Sequence, residues 1–228
     1  MKQLVTEAIV LRRIDFGEAD RIVTLLTSTQ GKLSAIAKGV RKPKSKLAGG
    51  IELFSVNTIT FIDTPRELKT LVSAQIKHDY NSIIKNGAAA TQVAYDILSA
   101  VHAYTEVTCE DEYFTISQQA LEALNNGVLP QLVGVWFGMR LLAISGHGIN
   151  TLSDASGRAL KSDEKFVFEV SEMTFAVNPA GILHGNHVKL LRLCLVTNLS
   201  SLQRVLNVET LSKEVRTLVK TAVNYYSR

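Results

Sequence analysis

Cysteine is scarce in this sequence: its 228 residues include only two, Cys109 and Cys194. Two cysteines so far apart cannot form the disulfide framework that stabilises small secreted domains. Long hydrophobic runs are also missing, since the most apolar stretch, residues 132–144, is interrupted by Arg140 and is too short to span a bilayer. The N-terminal residues lack an apolar signal core followed by a cleavage site. We therefore expect a cytoplasmic protein outside the membrane.

Motifs of the common enzyme classes are missing as well. Gly31-Lys32 lacks the earlier glycine of a phosphate-binding P-loop, and Leu33 stands where that motif has serine or threonine. The sequence contains no G-x-S-x-G, no H-E-x-x-H and no G-x-G-x-x-G motif. These absences predict a protein that is not an enzyme.

Three carboxylates near the N-terminus, Glu7, Glu18 and Asp20, could in principle form a nuclease-like metal cluster. The simpler interpretation places Glu18 and Asp20 in a turn between two strands, where they would pair with nearby arginines. The arginines in question are Arg12, Arg13 and Arg21.

Acidic residues are absent from residues 31–46, GKLSAIAKGVRKPKSK, which carry a set of cations. The cations are Lys32, Lys38, Arg41, Lys42, Lys44 and Lys46. The first half of the stretch alternates apolar and polar side chains, as in a strand with one apolar face. The second half contains Gly39 and Pro43 and predicts a loop. Lysine and arginine concentrated on a strand edge and its loop indicate a phosphate-binding surface. The alternative is a solvated loop without a ligand.

Charge is unevenly distributed along the chain. Residues 1–85 hold 14 Lys and Arg against 8 Asp and Glu, a net charge of +6, and the remainder holds 11 against 13, a net charge of −2. This distribution predicts that the surface facing a polyanion belongs to the N-terminal part and that the C-terminal part is not a second polyanion site.

The hydrophobic periodicity changes near residue 80. The five candidate strands before it are 8–14, 21–27, 32–40, 51–63 and 67–77. In the last of these, Leu68, Val72, Ala74 and Ile76 alternate with polar residues. Five short strands in so few residues predict a small barrel, and the OB-fold is a common nucleic-acid-binding example.

After residue 81 the period becomes helical, which predicts the α+β fold class. We predict an N-terminal domain of residues 1–80 and a mostly α-helical domain of residues 81–228, with the boundary near residues 78–83. An irregular insert near residues 145–185 contains two strand-like runs, 165–170 and 173–177.

The N-terminal residues carry a dense motif. Segment 7–27, EAIVLRRIDFGEADRIVTLLT, is followed by GKLSAIAKGVRKPKSK. This pattern resembles the N-terminal signature of the RecO family of DNA repair proteins. The residues on the pattern are Glu7, Gly17, Glu18, Asp20, Gly31, Lys32, Ala37, Lys38, Gly39, Arg41 and Ser45. The resemblance implies a five-stranded OB-fold barrel followed by a helical domain, and a recombination mediator without enzymatic activity.

The resemblance also implies partners. Such a mediator binds single- and double-stranded DNA, anneals strands, and acts with RecR on DNA coated by single-stranded-DNA-binding protein (SSB) so that RecA can load; RecF is a further candidate partner. Contact with the acidic SSB tail needs an apolar pocket edged by positive charge. Arg140, on an otherwise apolar helix, is our candidate for that edge. The alternative is an arginine whose stem covers apolar surface.

Many members of the family carry two C-x-x-C pairs in the insert, a zinc signature. Here Ser153 and Ser156 occupy the first pair's positions, and the second pair's positions are apolar. Serine hydroxyls cannot replace thiolates as structural zinc ligands, so we expect neither a bound metal nor a cofactor. A substitute set of zinc ligands could replace the missing cysteines; the alternative is that the histidines of this set lie on the protein surface. The substitute set comprises His147, His184, His187 and Cys194.

Aromatic residues are sparse in the barrel region, so phosphate contacts should dominate over base stacking. Those before the helical part are Phe16, Phe54, Phe61 and Tyr80. The main alternative function is a non-catalytic RNA-binding OB module. The charge of the surface does not distinguish DNA from RNA, and only recognition of the RNA 2′-hydroxyl would. A protein–protein adaptor with an incidental basic loop is a third possibility.

Overall fold

The computed structural model describes residues 2–105 and 111–227, which divide into two compact units, Met1–Asn126 and Gly127–Arg228. The strands of the first unit end at Asp79, and three helices follow within that unit. The change from strands to helices and the division between units therefore fall at different places in the chain. Cys109 lies outside the described residues.

Five strands form the sheet of the first unit. They are β1 (Lys2–Phe16), β2 (Asp20–Thr27), β3 (Gly31–Ala37), β4 (Ser55–Asp63) and β5 (Leu68–Asp79). Their order, β1-β2-β3-β5-β4 and back to β1, closes the sheet into a barrel, with β3 and β5 parallel and the other neighbours antiparallel. This is the OB-fold arrangement. The predicted fold class, an OB-fold barrel followed by a mostly helical part, is confirmed.

Strand β1 is twice as long as its prediction from sequence because it serves two neighbours. Its residues 2–9 pair with β4 and its residues 8–16 pair with β2. One long strand shared in this way joins β2 to β4, and the three-residue parallel pairing of β3 with β5 completes the barrel. The side chains that fill the interior include Ala8, Val10, Val23, Leu25, Leu33, Ala35, Ile59 and Phe61.

The predicted alternation of β5 is wrong in part. Phe61 pairs with Leu71 but Thr60 pairs with Ser73, so Val72 is an extra residue in a β-bulge. A bulge shifts the inward-facing positions of a strand by one residue. The buried positions are consequently Leu71 and Ala74, and the exposed ones are Leu68, Val72 and Ile76.

The segment before β4 forms a 3₁₀ helix, Ala48–Ile51, and the strand predicted to begin at residue 51 begins at Ser55 instead. Ile51 lies in the barrel core. A Cβ atom at Gly50 would collide with the backbone of Ala74, so only glycine allows the helix to approach β5 this closely.

Helices cover part of the outer face of the barrel. They are α1 (Ser82–Lys85), α2 (Ala88–Tyr104) and α3 (Asp111–Asn125). Helix α2 packs on β1, and α3 packs on β1 and β2. Ile9 and Leu26 face away from the barrel interior and are nevertheless fully buried, because these helices cover them.

The second unit combines helices with a small sheet. Its helices are α4 (Pro130–Ile144), α5 (Gly185–Val196), α6 (Leu199–Leu202) and α7 (Val208–Tyr226). Its strands are β6 (Lys165–Glu169), β7 (Thr174–Val177) and β8 (Leu183–His184), in the order β7-β6-β8. Strands β6 and β7 confirm the two strand-like runs predicted in the insert. Within the described residues no helix is both long and apolar enough to cross a membrane.

Candidate nucleic-acid interface

The cations predicted from sequence lie mostly in one segment, residues 38–47, which we name the basic loop. Two bonds anchor this loop to the turn that connects β1 and β2. The backbone nitrogen of Gly39 donates to Asp20 Oδ1 at 2.7 Å, and the backbone nitrogen of Arg41 donates to Ala19 O at 2.9 Å. Gly39 has a φ of +64°, which favours glycine at this turn.

The basic loop is also held by bonds of its own. The backbone nitrogens of Lys42 and Ser45 donate to Gly39 O and Lys42 O, at 3.1 Å and 3.0 Å. The buried side chain of Val40 joins the barrel core. The loop therefore presents its side chains from a fixed backbone, which lowers the entropy lost when a ligand binds.

Four lysines of the basic loop are exposed: Lys38, Lys42, Lys44 and Lys46. Among the residues that the structure describes, no carboxylate forms an ion pair with any of them. Their charges are available to an anionic partner, and at an exposed site they are screened by salt.

Arg41 is exposed too, but its guanidinium has partners. Its Nε lies 3.5 Å from Asp15 Oδ2, and its Nη1 donates to Gly17 O at 3.4 Å. Asp15 also accepts from Arg21 Nε at 2.7 Å, and this hydrogen bond, with the nearby arginine charges, lowers the pKa of Asp15. Arg41 thus brings a partly compensated charge to the loop.

Lys32 lies apart from the other cations. Its Nζ donates to the backbone oxygen of His102 at 2.8 Å, in the last turn of α2. A lysine there satisfies a free carbonyl and interacts favourably with the helix dipole. Burial, and then the charges of Lys32 and Arg12, lower the pKa of His102.

The expected acidic pairs differ from those found. Asp20 bonds to the backbone of Gly39 instead of to an arginine, and Glu7 pairs with Lys77. The turn between β1 and β2 covers residues 17–19, so Glu18 lies in it as predicted, whereas Asp20 begins β2.

An apolar row crosses the outer face of the barrel beside the basic loop. Ile14 pairs with Ile22, which in turn pairs with Ile36. Phe16, at the end of β1, is 51% exposed, whereas the other three aromatic rings named from sequence are buried. Because the predicted first strand ended at residue 14, the sequence did not place Phe16 on this exposed face.

Arg140 fastens the end of α5. Its Nε donates to Cys194 O at 2.8 Å and its Nη2 donates to Thr197 O at 3.3 Å, while the guanidinium lies 5.6 Å from the centre of the Trp136 ring. Val196, at the same end of α5, is 77% exposed. The arginine therefore has a structural task and lies next to exposed apolar surface.

The serines at the positions of the first cysteine pair are engaged in hydrogen bonds. Ser156 Oγ donates to Asp154 Oδ1 at 2.6 Å, which is the largest cause lowering the pKa of Asp154. Ser153 Oγ accepts from Asn150 Nδ2 at 3.1 Å. Arg158 bonds to Glu164 Oε1 at 2.8 Å. Hydroxyls held in this way do not fit a structural zinc ion.

The histidines of the substitute set have other partners. His187 is buried, accepts the backbone N–H of His184 at Nδ1, and pairs with Glu214 at 2.6 Å, so the expectation of a surface histidine is wrong for this residue. His147 stacks on Tyr226 with ring centres 3.9 Å apart. Burial raises the pKa of Cys194 to about 12. In the described part of the chain, no three His, Cys, Asp or Glu residues form a group that could hold a metal.

Comparison with known proteins finds a similarity to one family of DNA repair proteins. The family model described as "Recombination protein O N terminal" matches residues 1–80, which are the barrel. The chain is similar to the RecO family of DNA repair proteins. It is 25% identical over 228 residues to the DNA repair protein RecO of Halalkalibacterium halodurans, covering 96% of this chain and 87% of that relative. This finding confirms the resemblance seen in the sequence.

Higher identities extend over shorter regions. The DNA repair protein RecO of Dehalococcoides mccartyi strain CBDB1 is 33% identical over 142 residues, which cover 62% of this chain and 56% of the relative. The DNA repair protein RecO of Thermodesulfovibrio yellowstonii is 32% identical over 142 residues, which cover 62% of this chain and 57% of the relative. The matched part of the chain spans a little over half the length of these two relatives.

Proposed function

We propose that this protein is a cytoplasmic, non-catalytic recombination mediator in DNA repair. It binds single- and double-stranded DNA through the barrel, anneals complementary strands, and acts with RecR so that RecA loads on SSB-coated DNA. One observation carries the proposal: four exposed lysines without ion-pair partners in the described chain lie on one anchored loop of an OB-fold barrel. The names of the relatives, all DNA repair protein RecO, support the same function.

Charge neutralisation explains how such a surface would anneal strands. Each lysine that contacts a phosphate releases counterions, which supplies affinity without sequence preference. Lysine is a compact point charge and does not require one phosphate geometry, so single and double strands can use the same loop. Two strands held on one positive surface repel each other less, and pairing becomes faster. Arg41 and Lys32 add charge at the margin, although both have partners within the protein.

The apolar row beside the loop gives single strands an additional contact. The ring of Phe16 is exposed at the end of β1, where an unpaired base can stack on it. A duplex keeps its bases stacked internally and gains little from such a ring.

Protein partners would bind outside the barrel. We place the SSB tail, which is acidic and ends in an aromatic residue, at the end of α5, where Leu193 and Val196 are exposed and Arg140 supplies positive charge. An apolar surface edged by a cation suits a peptide of that composition. RecR is the main partner in this scheme, and RecF and RecA are further candidates.

The decisive experiment measures annealing of complementary oligonucleotides coated with SSB, with and without RecR. Wild-type protein should accelerate annealing, and replacement of the four loop lysines by alanine should abolish the acceleration. Absence of annealing by the wild type would overturn the proposal. A clear preference for RNA over DNA of the same sequence would favour the RNA-binding alternative.

A further inference from the structure

The net charge of the second unit is positive, contrary to what the division at residue 85 indicated. Residues 127–228 hold 11 Lys and Arg against 7 Asp and Glu, a net charge of +4. The negative charge of the C-terminal part comes from residues 86–126, which hold six acidic residues and no Lys or Arg. The charge argument against an anion site in the second unit therefore fails.

A small cleft lies between residues 160–162 and the first two turns of α5; we name it the α5 cleft. Its volume is about 40 Å³, and Phe166 and Val188 are among its apolar lining residues. The polar lining residues are Lys161, Ser162, Lys189 and Arg192. A cleft of this size admits one small polar group and not a whole side chain of a partner protein.

The three cations of the α5 cleft are exposed, and none forms an ion pair with a carboxylate of the described chain. Arg192 donates from Nη2 to the backbone oxygen of Thr151, which holds the guanidinium in place while leaving further N–H groups to donate. The two carboxylates nearest in sequence are Asp163 and Glu164, and Glu164 is bonded to Arg158. An anion among these three positive charges is attracted by all of them, and because they are exposed, salt screens part of that attraction.

We propose that the α5 cleft binds a terminal phosphate group. A phosphate monoester carries a charge of about −1.5 to −2 and three acceptor oxygens at neutral pH. Three cations and the Ser162 hydroxyl offset that charge in full and supply at least one donor for each of the three oxygens. A carboxylate or a phosphodiester offers one charge and two charged oxygens, which leaves part of the cleft unmatched. The phosphate could belong to the end of a DNA strand or to free phosphate, and the chemistry of the site is the same for both.

Binding of oligonucleotides to the full chain tests this proposal. Fluorescence anisotropy compares one single strand with a 5′-phosphate, a 3′-phosphate or hydroxyl ends. We expect about a tenfold preference for one phosphorylated end, as charge-assisted hydrogen bonds of this kind provide. Lys189→Ala with Arg192→Ala should remove the preference and leave affinity for the hydroxyl-ended strand nearly unchanged. The matched control, Arg204→Ala with Lys213→Ala, removes the same charge from exposed positions outside the cleft and should keep the preference.

Arg192 also supports the segment at Thr151, so a second variant, Lys161→Ala with Lys189→Ala, leaves that contact intact. Equal affinities of the wild type for phosphorylated and hydroxyl ends would overturn the DNA-end assignment. If free phosphate then shows saturable binding by isothermal titration that both cleft variants lose, the cleft is a site for free phosphate. If it shows none, the proposal fails entirely. The barrel proposal is tested with hydroxyl-ended strands and does not depend on this result.

Discussion

The carboxylate of Asp20 accepts a hydrogen bond from the backbone nitrogen of Gly39 at 2.7 Å. This bond joins the start of β2 to the basic loop across 19 residues of sequence. The same carboxylate places a negative charge beside lysines that we propose to contact phosphate. Asp20 therefore has two opposite effects on DNA binding: it positions the loop and it reduces the local positive potential.

Replacement of Asp20 distinguishes the two effects. Asp20→Ala should lower the free energy of unfolding by about 1 kcal/mol, the usual cost of one lost hydrogen bond. We expect it also to weaken DNA binding, because the loop loses its anchor. Asp20→Asn retains an acceptor oxygen without the charge and should bind DNA at least as tightly as the wild type. Tighter binding by Asp20→Ala would show that the charge matters more than the anchor.

The salt dependence of binding reports the number of phosphate contacts. If the four loop lysines each contact a phosphate, their replacement by alanine should reduce the slope of log K against log salt by about 3 for single strands. Lys32→Ala is a suitable comparison, because its ammonium is bonded to His102 at the end of α2. We expect Lys32→Ala to be less stable than the wild type. It should change the salt slope less than the replacement of any single loop lysine does. An unchanged slope in the fourfold variant would place the DNA site elsewhere.

Phe16 should contribute to single-stranded binding only. Phe16→Ala removes an exposed ring, so stability should change little, and affinity for single strands should fall by about 1–3 kcal/mol per stacked base. Affinity for a duplex of the same length should stay the same. Phe16→Trp retains a stacking surface and serves as the control. A similar loss for both kinds of DNA would argue against stacking.

Arg140 should prove structural as well as partner-binding. Arg140→Ala leaves the carbonyls of Cys194 and Thr197 without their donor, and we expect a loss of about 1–3 kcal/mol in stability, measured by denaturant unfolding. Arg140→Lys retains the charge but cannot reach both carbonyls with a planar fork. It should bind an SSB tail peptide better than Arg140→Ala at a temperature where both variants are folded. Equal peptide affinity of wild type and Arg140→Ala would exclude the arginine from that site.

The insert should be stable without zinc. We expect elemental analysis to find no stoichiometric zinc and chelators to leave the melting temperature unchanged. Asp154→Ala should lower the melting temperature, because Asp154 accepts bonds from Ser156 and Arg158. The folded protein lowers the pKa of Asp154, so its stabilising contribution is present at neutral pH and is lost as the pH falls through the acidic range. Bound zinc that disappears on replacement of His184 and His187 would contradict this prediction.

Periodicity and motif spacing within the chain determined the main architecture. Period-two alternation in residues 8–77 and the helical period after it are local properties, and they are sufficient to predict a five-stranded barrel followed by helices. The signature between Glu7 and Ser45 revealed the resemblance to the RecO family for the same reason, since its residues form consecutive strands and turns. The cations of the basic stretch were also visible in sequence, because charge density is a local count.

Long-range contacts decided the remainder. The bulge at Val72 depends on the pairing of β5 with β4, and no pattern within β5 reveals it. Lys32 is bonded to a helix 70 residues away, whereas its neighbours on the basic loop remain available; only the folded chain separates these two groups. The α5 cleft likewise joins residues 160–162 to positions 189 and 192, which the sequence keeps apart. Side-chain type is written in the sequence, but burial and partners are set by segments that meet only when the chain folds.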